Sequence, residues 1–140
     1  MSLPPRRLAR RSILAAPLLL VPAKASAAQA APPFPQWVGR TALLRGDGGA
    51  ATLLFSGDGT GLLTVRFLLF CRALPIRNWQ FGGDGLSVRY SRVSARDPAL
   101  LIAGEAHILA DEGELLWIEA TRRIAIFQGF SAASSGTGCF

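Results

Sequence analysis

The sequence predicts an all-β protein: an antiparallel meander of about eight strands closed into a small barrel, with a two-sheet β-sandwich as the alternative. Three observations predict it. Short apolar runs are separated by the turns Gly46-Asp47-Gly48-Gly49, Gly57-Asp58-Gly59, Gly82-Gly83-Asp84-Gly85 and Asp111-Glu112-Gly113. Asp-Gly between apolar runs signals a hairpin, because glycine accepts the positive φ such turns need. Several runs alternate apolar and polar residues with the period of a strand. From residue 37 onward no window carries a long 3.6-period stripe with caps, so no crossover helix is available and successive strands pair antiparallel. Closing the sheet removes its two unpaired edges.

The elements follow in order. Residues 1–30 read as a cleaved export signal: the pairs Arg6-Arg7 and Arg10-Arg11, an apolar run over 13–21, then small-residue sites at Ala23-Lys24-Ala25, Ala25-Ser26-Ala27 and Ala28-Gln29-Ala30. Arg10-Arg11-Ser12-Ile13-Leu14 resembles the twin-arginine export motif, with an arginine-rich Sec signal as the alternative. The apolar run is far shorter than the ~20 residues a membrane span needs, so no stable anchor is expected after cleavage. Residues 31–36, rich in proline, are expected to be extended. The barrel follows over 37–130, and 131–140 form a flexible tail.

Within the barrel the expected strands are 37–45, 51–56, 62–72, 76–81, 86–94, 100–109, 114–119 and 124–130, with Pro75 and Asp97-Pro98 as breaks. In the third, Val65, Phe67, Leu69 and Cys71 share one face. In the fifth, Leu86, Val88 and Tyr90 face the core while Ser87, Arg89 and Ser91 face solvent. In the sixth, Ile102, Gly104, Ala106 and Ile108 oppose Glu105 and His107.

The whole chain has net charge +6 and a pI near 11.0. Arg6, Arg7, Arg10, Arg11 and Lys24 supply five of the fifteen basic residues and precede every acid, so the remaining ten arginines face nine acids, about +1. A balanced mature chain points to neither nucleic acid nor an anionic membrane as partner. The partners expected are the Tat or Sec translocon and signal peptidase, and the compartment is periplasmic or extracellular. Cys71 and Cys139 are a candidate disulfide there. The other arrangements are a buried Cys71 with a mobile Cys139, or pairing between chains.

Catalytic constellations are missing from the sequence. His107 is the only histidine, and there is no Gly-x-Ser-x-Gly elbow, Cys-x-x-Cys or phosphate-binding loop. Glu105 and His107 project from one face as an acid/base pair would, but that face is the solvent face. Asp47, Asp58 and Asp84 read as turn residues, one carboxylate per loop being too few for calcium. No cofactor or metal is indicated. Trp37, Phe67, Trp79, Phe81, Tyr90 and Trp117 are the candidate lining of a ligand cavity, or else the barrel's solid core. Leu68 and Phe70, facing outward beside Arg66 and Arg72, are a candidate partner surface, unless the C-terminal tail covers them.

The layout resembles the calycin group of small secreted barrels. Trp37-Val38-Gly39 opens the first strand, a ladder of tight hairpins follows, and Arg122-Arg123 precedes the last strand. The lipocalin resemblance implies an arginine late in the barrel packed over Trp37. A second resemblance, to bacterial inhibitors of alkaline metalloproteases, implies that Ala31-Pro32-Pro33-Phe34-Pro35 protrudes to enter a protease cleft. Together these readings lead to a non-enzymatic binding module holding a small apolar ligand or a protein partner. The alternatives are an envelope-associated structural protein with a solid core and a protease inhibitor acting through its N-terminal segment.

Overall fold

The structure, a computed structural model, describes residues 29–131. The export motif at Arg10 and Arg11, Cys139 of the candidate disulfide and the tail from residue 132 lie outside the described residues. Eight strands run in order: β1 Thr41–Gly46, β2 Gly49–Phe55, β3 Gly61–Phe67, β4 Phe70–Phe81, β5 Ser87–Val93, β6 Leu101–Ile108, β7 Glu114–Glu119 and β8 Thr121–Phe130. Each pairs antiparallel with the next, and β8 returns to β1 from Ala42↔Phe130 to Gly46↔Ala125, so the sheet is a closed barrel and not a sandwich. The Gly/Asp turns set four of the hairpins, as the sequence predicts. Their burial also follows the period-2 pattern: Val88 and Tyr90 of β5 and Gly104 and Ala106 of β6 are buried, whereas Leu86 at the strand's entry is half exposed.

Three boundaries differ from the sequence reading, one of them at β8, which opens at Thr121 and so contains Arg122-Arg123 instead of following them. The first strand does not open at Trp37. Pro33-Phe34-Pro35 enters a 3-10 turn over Phe34–Trp37, and β1 begins only after Gly39, whose φ is 78°. Proline at the start of that turn has its φ pre-set and no amide to give to a ladder, which favours the turn over a strand. The break at Pro75 is also absent. Phe67 pairs with Phe70, leaving Leu68-Leu69 as a two-residue hairpin, and Pro75 lies inside β4 opposite Leu62. Pro75 is tolerated because the β4–β5 ladder begins only at Ile76↔Arg92, so on that side Pro75 has no partner to which a missing donor would be lost. Moving the turn to 68–69 puts Leu69 at its tip, brings Phe70 to the same face as its partner Phe67 instead of the outer one, and sends Cys71 to the outer face, paired with Arg66, rather than in line with Val65 and Phe67.

The segment 29–37 closes one end of the barrel. Phe34 and Trp37 are fully buried among Phe55, Phe127 and Leu53. Backbone bonds fix the segment: Gln29 N donates to Phe127 O at 3.3 Å, and Phe34 N donates to Gly85 O at 2.7 Å. Gly113 is needed at this dock, because its φ is 89° and a Cβ there would lie 2.2 Å from Gln29 O. The expectation of a protruding segment at 31–35 is therefore corrected: it is held against the barrel because Phe34 is part of the core.

Candidate functional site

The barrel has a filled half and an open half. At the closed end the rings of Phe34 and Trp37 meet at 4.7 Å, Trp37 and Phe127 at 5.2 Å, Phe55 and Trp79 at 5.5 Å, and Trp79 and Phe81 at 4.4 Å. Trp37 Nε1 donates to Pro32 O at 2.8 Å, and Trp79 Nε1 donates to Thr60 O at 2.7 Å, so both indoles bring their polar edge to a carbonyl. At the opposite end the hairpins 46–49, 67–70 and 119–121 and the connection 94–100 surround a mouth. From it a cavity of about 1020 Å³ reaches in beside β1–β3 and β7–β8. Leu44, Ala51, Leu63, Val65, Phe67 and Trp117 supply apolar wall, and Arg66, Glu119 and Arg123 stand at the opening.

The six aromatic candidates thus divide. Trp37, Trp79 and Phe81 belong to the filled end, whereas Phe67 and Trp117 line the cavity. Tyr90 sits between the halves, its ring 5.6 Å from that of Trp117. It is also part of a polar cluster that no motif spacing along the chain marks. Tyr90 Oη donates to Glu119 Oε2 at 2.6 Å, and Arg92 grips the same carboxylate with Nε to Oε2 at 2.8 Å and Nη2 to Oε1 at 2.8 Å. The ion pair is largely buried, its side chains 13% and 16% exposed. Burial and the Glu119 carboxylate push the Tyr90 phenol far above its ordinary range, and the bond to Glu119 holds Arg92 more firmly protonated.

Parity explains the cluster. Arg92 continues the inward series Val88, Tyr90, and Glu119 continues Leu115, Trp117, so two strands each end on an inward charge. Between β5 and β7 lies β6, with Gly104 paired to Tyr90. The tyrosine ring lies flat over that glycine: a Cβ there would be 2.3 Å from Tyr90 Cζ. The missing side chain is what lets the phenol reach across a strand to Glu119. Gly104→Ala should therefore lower stability by about 2 kcal/mol, the usual penalty of forcing a methyl into a packed interior. In a Tyr90→Ala background the same change should be near neutral, as a double-mutant cycle in urea would read.

Glu105 and His107 lie on the outer face of β6, 2.9 Å from each other and both partly exposed, apart from the cavity. Among the described residues no three His, Cys, Asp or Glu side chains gather as metal ligands. Asp58 and Asp84 cap their own turns: Asp58 accepts from Thr60 N and Oγ1 at 2.9 and 2.7 Å, which holds its carboxyl below the usual range. Asp84 accepts from Leu86 N at 2.9 Å.

No protein-family model, curated protein or solved structure matches the chain.

The arginine correspondence implied by the lipocalin resemblance does not hold. Arg122 and Arg123 stand at the mouth, at the other end of the barrel from Trp37. The arginine nearest that aromatic cluster is Arg40, whose guanidinium lies 3.8 Å from the centre of the Phe130 ring, itself 5.9 Å from Trp37.

Proposed function

We propose that this protein is an exported, non-enzymatic binding module, a calycin-type barrel whose open half holds a small apolar ligand. The observation that carries the reading is the cavity of about 1020 Å³ behind the mouth, walled by Leu44, Leu63, Val65 and Trp117. That volume suits a drug-sized or lipid-sized molecule, and a largely apolar pocket with a few polar groups at one end is the usual form of such sites. The division of labour within the barrel supports it: the aromatic plug supplies the core, so the other half need not be filled for stability. Export would proceed through the Tat or Sec translocon, with signal peptidase cleaving at the Ala25-Ser26-Ala27 site, which leaves Gln29 and its bond to Phe127 in the mature chain, and the protein acting in the periplasm or outside the cell. Cys71 and Cys139 would pair there as a later reinforcement of the fold.

Binding is read with an environment-sensitive probe, 1-anilinonaphthalene-8-sulfonate, titrated into the folded protein and displaced by long-chain fatty alcohols. The expected result is saturable fluorescence, abolished by Ala51→Phe, which places a ring in the cavity while leaving the denaturation midpoint near the native value. Absence of saturable binding, or equal binding by the Ala51→Phe protein, would overturn the ligand reading. Native mass spectrometry of the same sample reads any retained ligand, the processed N-terminus and the two-hydrogen mass loss of a disulfide.

A further inference from the structure

The hairpin between β3 and β4 is set apart from the other tight turns by its apolar tip, although the β7–β8 turn also places a non-glycine residue, Ala120, at positive φ (74°). Four hairpins turn on glycine and aspartate, whereas this one reads Phe67-Leu68-Leu69-Phe70. Leu69 is 97% exposed and Leu68 78%, and both phenylalanines beside them are exposed as well. Leu68 also adopts φ 54°, in the left-handed region. The turn types favoured for two-residue hairpins need positive φ at their first central residue, where glycine or asparagine is the residue without strain. A branched apolar side chain in that position is unfavourable both for the backbone and for solubility. Local strain and water-exposed apolar surface at one tip are what a contact site retains and a mere connection loses.

The same end of the barrel carries the charge. Arg45, Arg66, Arg72, Arg92, Arg96, Arg122 and Arg123 lie on the mouth-side ends of the strands and their connections, against Asp47, Asp97 and Glu119. Seven cations against three anions leave that end at +4. The rest of the barrel has Arg40, Arg77 and Arg89 against Asp58, Asp84, Glu105, Asp111, Glu112 and Glu114, leaving −3. The near-neutral total that argued against an anionic membrane averages over a strongly polarised body. Exposed Leu100 and Leu101, beside the connection 94–100, extend the apolar surface of the mouth.

We propose that the open end docks on a bilayer surface rich in anionic lipid. The tip Leu68-Leu69 enters the boundary between headgroups and acyl chains. Arg92 is held inside by Glu119, but the exposed arginines Arg45, Arg66, Arg72, Arg96, Arg122 and Arg123, with long apolar stems and charged ends, lie among the headgroup phosphates. An apolar insertion ringed by cations is complementary to such a surface on both counts. It also sets the mouth of the cavity against the hydrocarbon, although the docking stands without any ligand in the cup.

The test is sedimentation of residues 29–140, which contain the whole closed barrel and its plug, with sucrose-loaded vesicles of phosphatidylcholine with or without phosphatidylglycerol. The full chain is run in parallel. The wild-type protein should bind the phosphatidylglycerol vesicles. The double variant L68G/L69N restores ordinary turn chemistry, so it should unfold at a denaturant concentration no lower than wild type. It should bind at least roughly a hundredfold more weakly, since each buried leucine is worth tenfold or more. Arg66→Gln with Arg122→Gln should remove most of the preference for phosphatidylglycerol, about fivefold per arginine. Failure of the wild type to bind, or undiminished binding by L68G/L69N, would overturn the proposal. So would self-association lost in L68G/L69N, which would put a second copy on the tip, or vesicle binding that appears only after removal of residues 132–140, which would make that segment the occupant.

Discussion

Trp37→Ala should lower the unfolding free energy by about 4 kcal/mol, the largest loss from any single truncation in the closed end. The indole is fully buried, meets Phe34, Phe127 and Phe130, and satisfies the Pro32 carbonyl through Nε1. Its removal leaves a void that cannot collapse, because β1 and β8 on either side of it are fixed by the closed ladder. In a domain of this size such a loss shifts the thermal midpoint downward by about 20 °C. Trp37→Phe separates the two contributions. It keeps most of the apolar contact but leaves the Pro32 carbonyl without its donor, so it should fall between, at about 2 kcal/mol. Trp117→Ala, at the partly exposed cavity wall, should cost about 1 kcal/mol and act mainly on ligand affinity. Equal effects at Trp37 and Trp117 in chemical denaturation would sink the division into a filled and an open half. The same packing predicts that a chain beginning after Trp37 does not fold, whereas a protruding segment would be dispensable.

Much of this architecture was legible from turn chemistry and parity. Turns containing glycine and aspartate mark four hairpins, and alternation in β5 and β6 assigns Val88, Tyr90, Gly104 and Ala106 to the interior. Eight strands and a closed meander followed from these and from the missing crossover helix. Local chemistry misleads where it is overruled by the rest of the fold. Leu68-Leu69 carries no turn residue, so the stretch 62–72 reads as one long strand. Pro75 reads as a break because the point at which the β4–β5 ladder starts, one residue after it, depends on the partner strand. Trp37 looked like a strand opener because nothing local shows that Phe34 and Trp37 must cap a barrel end.

The polar cluster was legible in principle. Continuing the inward series of β5 by two residues gives Arg92, and continuing that of β7 gives Glu119, opposite charges sent to one interior. No catalytic spacing along the chain marks them, because these residues meet across the intervening strand β6. The charge polarity was hidden for a related reason. Net charge is a sum, and only the topology tells which arginines share an end.

Glu119→Gln should cost about 3 kcal/mol and change how the protein responds to alkali. The amide keeps the shape but removes the charge that Arg92 binds with two nitrogens, and leaving a buried cation without its anion is strongly unfavourable. The triple change Arg92→Met, Glu119→Leu, Tyr90→Phe removes every member together and should recover most of that loss, since a buried ion pair gains little over apolar packing. Tyr90 supplies the independent readout, because it is the only tyrosine in the chain and its phenolate absorbance is therefore unambiguous. Its folded-state pKa is raised above the ordinary value of 10.0, first by burial and then by Glu119. A raised pKa stabilises the fold fully below pH 10 and loses that contribution as pH climbs further, because the unfolded chain releases the proton first. Wild-type protein should thus show no phenolate signal until it unfolds above pH 10, with signal and loss of structure coinciding. In Tyr90→Phe the alkaline loss of stability should shrink. In Glu119→Gln the phenol loses its anionic neighbour, so the titration should begin at lower pH in whatever fraction remains folded. A wild-type tyrosine that titrates near pH 10 with the barrel intact would mean that the Tyr90–Glu119–Arg92 cluster is not closed in solution.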